Sequence, residues 1–206
     1  MRVAVVGGTG DFGLALAQQL VAAGHDVVIG SRDAERAAAK AGEVGARGAG
    51  NEDAVRDVDL VVLAVKSDAA LPTAQSLAAA IVATPVLSVA SELRFTKQGV
   101  LPGDDARSIA ERAQELLRAP VVAGLHSLAA ASLASGKAEG DALVCGDDAD
   151  AKELALALAG SVVTGRALDA GPLASARALE GMTAVIVNLN KRYKAHAGVR
   201  ISGLPA

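Results

Sequence analysis

The chain has 206 residues, of which 51% are hydrophobic and 21% are charged, and its formal net charge is −3. This composition predicts a globular protein of one domain or little more, and the acidic balance disfavours a nucleic-acid partner, which requires a basic face. The sequence shows neither a signal-peptide pattern nor the ~20 consecutive apolar residues of a membrane span. The lone cysteine, Cys145, cannot form an internal disulfide or a cysteine metal cluster, so we expect a cytoplasmic protein with no membrane contact and no metal.

Short apolar runs alternate with helical patterns along the whole chain. Residues 2–6 are rich in valine and end at two glycines, which predicts a buried strand, and residues 13–23 repeat apolar side chains at helical spacing. The same criteria predict strands at 26–30, 59–65, 85–89, 120–124, 142–145 and 162–169, and helices at 33–44, 71–79, 106–117, 149–159 and 173–194.

The order of these elements indicates the fold. The strand at 59–65 is apolar almost throughout, which is typical of a parallel sheet covered on both faces. Alternation of strands and helices therefore predicts an α/β protein with a doubly wound, mostly parallel Rossmann-type sheet. We expect a Rossmann domain at 1–124 and a small C-terminal α/β extension at 125–206, whose tail pairs or docks. Residues 90–105, with one proline and two glycines, predict a loop over the site.

A glycine-rich loop follows the first strand. Residues 8–13 (GTGDFG) have the G-x-G-x-x-G pattern, and they lie between a predicted strand and a predicted helix. In that context Gly8 permits the tight turn, Gly10 lets a pyrophosphate approach the backbone, and Gly13 lets the helix pack closely on the strand. The first helical N–H groups and the Thr9 hydroxyl then face the phosphates. The pattern favours a dinucleotide site over a plain glycine turn.

The residues after the second strand select the nucleotide. NAD enzymes usually have an acidic residue there, which binds the ribose 2′-hydroxyl, whereas this chain has Gly30-Ser31-Arg32, with Arg36 one helical turn later. A hydroxyl and two guanidinium groups favour a 2′-phosphate, because arginine forms charge-assisted, bidentate hydrogen bonds with phosphate. The sequence therefore favours NADP. The alternative is that both arginines are ordinary helix charges, which Asp33 and Glu35 pair with.

The chain offers little acid–base machinery for a nicotinamide enzyme. Its one tyrosine, Tyr193, lies near the C-terminus, so the Tyr-x-x-x-Lys pair of short-chain reductases is absent. His25 lies in a turn and His196 in the tail, and we interpret both as structural or solvated. His126 follows the strand at 120–124, at the edge where open α/β sheets bind ligands, and a ligand role and a structural role are both open. A hydride acceptor whose own ring chemistry carries the reaction fits best.

Three stretches resemble one known family. The first, GGTGDFG…AGHDVVIGSR, lies within residues 7–32, and the second, VVAGLHSLAAASLA, covers 121–134. The third is LVCGDDADAKELA followed by LDAGPLASARALEGMTAVIVNLNKRYKAHAGVRISGL, within 143–204. Outside the middle segment 51–117, the chain thus resembles the NADPH-dependent reductases of coenzyme F420, a deazaflavin.

The resemblance implies a reversible hydride transfer between NADP(H) and coenzyme F420 in a homodimer, by positioning and without a catalytic acid or base. It also implies that the C-terminal extension forms the deazaflavin pocket and the dimer face. The deazaflavin-binding residues would be His126, Ser127 and Leu128. The NADP-binding residues would be Thr9, Gly10, Asp11, Phe12, Ser31, Arg32, Arg36, Ser67, Leu71, Ser91 and Ala130.

Some features have two interpretations. The loop at 90–105 departs from the family pattern, and Val65-Lys66 replaces an apolar-Pro pair. Arg94 and Lys97 either meet the acidic tail of the deazaflavin or are plain loop charges. The last helix carries an apolar stripe that is either core or dimer face, formed by Met182, Val185, Ile186 and Leu189.

Two other functions are open at this point. An NADP-dependent reductase of a small imine or carbonyl compound would need a proton donor near the nicotinamide, and only His126 is a candidate. A non-catalytic NADP-sensing module that signals by dimerising would bind NADPH without turnover.

Overall fold

The computed structural model describes residues 1–204, which form ten strands and eight α-helices. Within this range no helix combines the length and the apolarity that crossing a membrane requires. The strands are β1 (Arg2–Val6), β2 (Asp26–Ser31), β3 (Arg47–Gly50), β4 (Leu60–Leu63), β5 (Val86–Ser88), β6 (Leu93–Thr96), β7 (Gly99–Pro102), β8 (Val121–Gly124), β9 (Ala142–Gly146) and β10 (Ala167–Asp169). The helices are α1 (Asp11–Ala22), α2 (Ala34–Val44), α3 (Asn51–Ala54), α4 (Ser67–Ile81), α5 (Ile109–Leu116), α6 (Ala130–Ser135), α7 (Ala149–Val162) and α8 (Ala176–Tyr193).

Eight strands form one sheet in the order β3-β2-β1-β4-β5-β8-β9-β10, and β6 and β7 form a separate antiparallel hairpin. Neighbours in the sheet are parallel except β8 and β9. The first six positions reproduce the doubly wound Rossmann order, so the predicted fold class is confirmed. The strand order reverses between β1 and β4, with β2 and β3 added on one side and β5 and β8 on the other, and open sheets bind ligands at the carboxyl ends of the strands beside such a point.

Both faces of the sheet are buried along its central strands, which explains why the interiors of these strands are apolar. Along β1, Val3 and Val5 pack into one core with Leu16 of α1, whereas Ala4 and Val6 pack into the other core. All five side chains are fully buried. Burying a valine or leucine contributes about 1.5–3 kcal/mol, so a polar residue at any position from Val3 to Val6 would be costly.

Two predicted elements are wrong, and three elements, β3, α3 and α6, were not predicted. The strand predicted at 162–169 is shorter, because Val162 completes the buried face of α7 and only Ala167–Asp169 pair with β9. The predicted loop at 90–105 contains the hairpin of β6 and β7, whose strands are partly polar. Strand β3 lacks β-branched residues, yet its Gly48 fits where a Cβ would lie 2.3 Å from the Ala37 carbonyl oxygen. The six-residue helix α6 was also unpredicted.

The C-terminal tail docks on the extension through a buried carboxylate, which is one of the two arrangements expected from the sequence. Asp141 is 2% exposed, and it accepts hydrogen bonds from the Arg166 guanidinium at 3.0 Å, the Arg166 backbone at 2.9 Å and the Ile201 backbone at 2.8 Å. These bonds hold the pKa of Asp141 well below its usual range. The Asp141 N–H donates in turn to the Val199 carbonyl at 2.6 Å. Residues 205–206 of the predicted tail lie outside the described residues.

A second buried carboxylate joins α8 to the N-terminus of α5. Glu180 is 2% exposed, and its Oε1 accepts a hydrogen bond from the Ala110 N–H at 3.2 Å. Ser108 caps the same helix and forms a capping box with Glu111. Burial raises the pKa of Glu180 to about 7. The contact fixes α8 at the edge of the sheet where β5 and β8 end.

Glu180→Gln is expected to remove a pH-dependent loss of stability. The folded-state pKa of Glu180, about 7, lies above its usual value of 4.5, so the folded chain binds the extra proton. Its contribution is therefore fully present below pH 4.5 and is lost as the pH rises through 7, on the order of 3 kcal/mol at most. Glutamine keeps the acceptor oxygen and cannot ionise.

The measurement is urea unfolding of both proteins at pH 4 and pH 8. The free energies of unfolding should be similar at pH 4, and the variant should be the more stable protein at pH 8. Equal differences at the two pH values would mean that Glu180 does not titrate in this range.

Candidate active site

The glycine-rich loop leads into α1 and leaves the first N–H groups of that helix open. Gly7 has φ +85°, and Gly13 packs so closely that an added Cβ would lie 2.6 Å from the Gly7 oxygen. Gly10 is different, because its φ is −88° and the nearest atom to an added Cβ is 3.5 Å away. It is exposed, and no side chain caps the helix there. The fold itself therefore permits a larger residue at Gly10, whereas a phosphate at the helix N-terminus needs the space.

Two exposed arginines follow β2 beside this loop. The Ser31 hydroxyl accepts a hydrogen bond from the Asp33 N–H at 3.2 Å, and Asp33 caps α2 by accepting from the Arg36 N–H at 3.0 Å. Across residues 1–204, neither Arg32 nor Arg36 forms an ion pair. The alternative in which Asp33 and Glu35 neutralise the two arginines has no support in the structure. The Gly7 N–H bonds to the Gly30 oxygen, which places this positive surface next to the loop.

A cavity of about 230 Å³ lies where β4, β5 and β8 end. Residues from six segments that are distant in the sequence meet there: the start of α1, the three turns after β4, β5 and β8, the hairpin and α8. The lining residues are Phe12, Ala64, Val65, Lys66, Ser67, Val89, Ala90, Ser91, Leu93, Leu125, His126, Leu128 and Thr183. The cavity therefore joins the glycine-rich loop to the C-terminal extension.

The turn after β8 is strained at the residue before His126. Leu125 has φ +65°, which is unusual for a residue with a side chain, and it is 1% exposed. The Leu128 N–H bonds to the Leu125 oxygen at 3.0 Å and closes the turn. Strain of this kind costs about 1–3 kcal/mol and persists where the surroundings impose it, often at functional sites. Here it directs His126 to the cavity wall and Ser127 to the interior.

His126 forms a closed cycle of hydrogen bonds with two hydroxyl groups. Its Nδ1 lies 3.1 Å from Ser91 Oγ, Ser91 Oγ lies 2.8 Å from Thr183 Oγ1, and Thr183 Oγ1 donates to the His126 backbone oxygen at 3.0 Å. Burial lowers the pKa of His126 to about 4, so the imidazole is neutral at physiological pH. Its Nε2 is buried and has no hydrogen-bond partner among the described residues. A neutral residue of this kind is a poor proton donor.

The structure brings some predicted site residues together and leaves others apart. Phe12, Ser67, Ser91, His126 and Leu128 line the cavity, and a neighbouring cavity of about 390 Å³ is lined by Ser67, Leu71 and Leu93 among others. Thr9, Gly10 and Asp11 lie at the start of α1, and Ser31, Arg32 and Arg36 lie after β2. Ser127 and Ala130 do not line either cavity: Ser127 is 2% exposed and its hydroxyl donates to the Asp141 backbone oxygen, and Ala130 begins α6.

Thr183 and Lys66 line the cavity but were not predicted as site residues. Thr183 follows Met182 of the apolar stripe in the sequence, and its contacts with Ser91 and His126 span 92 and 57 residues of sequence. No local sequence pattern predicts such contacts. Lys66 could have been found, because it is the departure from the family pattern after the predicted third strand.

The remaining candidates have ordinary surroundings. His25 lies between the N-terminal amine and Ser161, far along the chain from the cavity lining, and His196 is exposed. Arg94 pairs with the exposed Asp104 at 3.1 Å. The apolar stripe of α8 divides: Ile186 is buried and Met182 is partly buried, whereas Val185 and Leu189 are exposed.

The fold and the site together define a Rossmann-type oxidoreductase that uses a nicotinamide dinucleotide. Comparison with known proteins gives the family. The model of the family described as NADP oxidoreductase, coenzyme F420-dependent, matches residues 2–92. Two F420-dependent NADP reductases align with the whole of this chain. The one from Methanothermobacter marburgensis is 35% identical and is itself covered to 100%, and the one from Methanothermobacter thermautotrophicus is 36% identical and is covered to 96%. The chain belongs to the F420-dependent NADP oxidoreductase family.

A solved structure agrees with this assignment over the full length. A protein of Arthrobacter sp. FB24 that carries the designation F420-dependent NADP-reductase superposes with a TM-score of 0.83 at 25% identity, and each chain is covered completely. The predicted resemblance is confirmed, and the similarity also extends through the middle segment 51–117, for which the sequence motifs indicated no resemblance.

Proposed function

We propose that the chain transfers a hydride reversibly between NADP(H) and coenzyme F420. The observation that carries this proposal is the cavity itself, which opens between the glycine-rich loop and the neutral His126. Within residues 1–204, only one of the two ring nitrogens of His126 has a hydrogen-bond partner. When bound, the nicotinamide supplies a hydride at C4 and the deazaflavin ring accepts it at C5. The protein contributes binding, orientation and exclusion of water, and orientation alone can accelerate such a transfer greatly.

The chain's own residues divide into two binding sets. Thr9, Gly10 and Asp11 would hold the pyrophosphate at the N-terminus of α1, and Ser31, Arg32 and Arg36 would hold the 2′-phosphate. Phe12 and residues after β4, β5 and β8 would enclose the two reacting rings, with Phe12, Ser67 and Ser91 toward the nucleotide, Leu71 along its adenosine side, and His126 and Leu128 toward the deazaflavin.

The orphaned Nε2 of His126 supports a ligand in this cavity, because a buried acceptor without a donor is rarely left unsatisfied. The same residue disfavours reduction of an imine or carbonyl compound, which needs a proton donor beside the nicotinamide. With a pKa of about 4, His126 is a neutral imidazole at neutral pH and has no imidazolium proton to donate. Hydride transfer to a deazaflavin would leave the negative charge delocalised over its pyrimidine ring, where solvent can supply the accompanying proton, so no donor is required among the residues of the cavity.

The proposal includes a homodimer and a reducing compartment. Asn188 of α8 bonds both the N–H and the carbonyl of Val100, so the hairpin and α8 present one surface. That surface exposes apolar side chains that a second copy would cover, namely Phe95, Leu101, Val185, Leu189 and Tyr193. Sedimentation should give twice the mass of one chain, and a monomer would contradict this part. Cys145 is buried and free, which fits the cytoplasm.

The test of the activity is direct. Purified protein is mixed with NADPH and F420, and the absorbance of the oxidised deazaflavin is followed. We expect it to disappear with NADPH, and far more slowly with NADH. Parallel reactions replace F420 by small imines and ketones. Consumption of NADPH by those compounds but not by F420 would replace this proposal with the second function, and binding of NADPH without any turnover would replace it with a sensor.

A further inference from the structure

The hydrogen-bond cycle of His126, Ser91 and Thr183 contains enough information to assign its protons. Each hydroxyl group has one hydrogen to donate. The hydrogen of Thr183 goes to the His126 backbone oxygen, since a carbonyl can only accept. The 2.8 Å contact between Ser91 Oγ and Thr183 Oγ1 then requires the hydrogen of Ser91. Ser91 has none left for the imidazole, so Nδ1 must carry the hydrogen that joins it to Ser91.

We propose that Ser91 and Thr183 are positioning residues that fix His126 as the Nδ1–H tautomer, so that its Nε2 accepts a hydrogen bond from an amide or imide N–H of the bound ligand. A neutral imidazole has one N–H, and once Nδ1 holds it, Nε2 is an acceptor only. The ligand part of this inference rests on the proposed function, whereas the tautomer does not.

The position of His126 Nε2 in the cavity leaves it available to a ligand. His126 lines the cavity and is 5% exposed, and no donor within residues 1–204 reaches its Nε2. Burying an acceptor without a partner is unfavourable, so the ligand-free site lacks one donor. Two ligands of the proposed reaction offer the matching chemistry: the nicotinamide has a carboxamide N–H, and the deazaflavin ring has an imide N–H. In the opposite tautomer, Nε2 of His126 would carry the hydrogen and would donate it to a ring carbonyl group of the ligand instead.

The test is nitrogen NMR of the labelled, full-length protein, in which only three histidines give signals. Long-range ¹H–¹⁵N correlations distinguish a protonated ring nitrogen from an unprotonated one, and His126→Gln assigns the resonances. In the ligand-free protein between pH 5 and 8, we expect protonated Nδ1 and unprotonated Nε2. An Nε2–H tautomer or a doubly protonated ring at pH 7 would overturn the assignment.

Variants test the role of the two hydroxyl groups. Thr183→Val should free the Ser91 hydrogen for Nδ1, populate the Nε2–H tautomer and weaken ligand binding roughly tenfold. Thr183→Ser should restore both. Thr164→Val, an exposed threonine elsewhere, is the matched control and should change neither. An unchanged tautomer in a folded Thr183→Val protein would overturn the positioning role.

Separate titrations with NADP⁺ and with F420 identify the donor. The ligand whose N–H reaches His126 should shift the Nε2 resonance, and no shift with either ligand would overturn the ligand part. Turnover is measured on the same samples. Turnover with the Nε2–H tautomer would defeat only this inference, and the Nδ1–H tautomer without turnover would defeat only the proposed function.

Discussion

Gly10→Ala is expected to weaken NADPH binding by roughly 100-fold or more while leaving the fold intact, since a methyl group at the helix N-terminus occupies the place of the pyrophosphate. The fold has room for it: the φ of −88° is ordinary for any residue, and the nearest atom to the new Cβ is 3.5 Å away. The measurement is NADPH affinity by fluorescence or calorimetry, together with the melting temperature.

Gly13→Ala is the matched control for the opposite reason. Its Cβ would lie 2.6 Å from the Gly7 oxygen and 2.8 Å from Gly8 Cα, so the variant should lose stability. Melting should therefore separate the two alanine variants. If Gly10→Ala binds NADPH as the original protein does, the glycine loop does not hold the pyrophosphate.

Arg32→Ala should reduce affinity for NADPH by about 10- to 100-fold and change affinity for NADH little. A hydrogen bond to a charged group is worth about 1.5–3 kcal/mol, and only NADPH has the 2′-phosphate that would receive it. Arg32 is exposed and forms no ion pair within residues 1–204, so its removal should not alter stability. Steady-state KM values for both nucleotides measure the effect.

Arg118→Ala is the control for a general loss of positive charge. Arg118 is also exposed, but it precedes β8 and therefore lies at the opposite edge of the sheet. It should leave both KM values unchanged. Equal losses of NADPH and NADH affinity in the Arg32 variant would show that this guanidinium does not read the 2′-phosphate.

Much of the fold could be predicted, because its signals are local. The glycine pattern at residues 8–13, the apolar strands and the Ser31-Arg32 pair are all read from neighbouring residues, and the structure places them as a Rossmann sheet requires. The hairpin of β6 and β7 could not be predicted in this way. Its polar strands are stabilised by contact with Asn188, which lies 88 residues away from Val100 in the sequence.

The candidate site shows the same division. His126 could be found from its position after a strand, and its role could not, since that depends on Ser91 at a separation of 35 residues and on Thr183 at 57. Ser127 is the converse case. It adjoins His126 in the sequence, but the strained backbone at Leu125 turns its hydroxyl to Asp141, away from the cavity. Adjacency in the chain does not give adjacency in the site.

The most direct test follows the hydride itself. A single turnover in ordinary water uses NADPH deuterated at both C4 positions, and mass spectrometry reads the deuterium content of the reduced deazaflavin. The account predicts one deuterium per molecule of reduced deazaflavin, because the two rings meet in one cavity and no residue takes up the hydrogen. Reduced deazaflavin whose C5 carries hydrogen from water in place of deuterium, or no reduction at all, would contradict it.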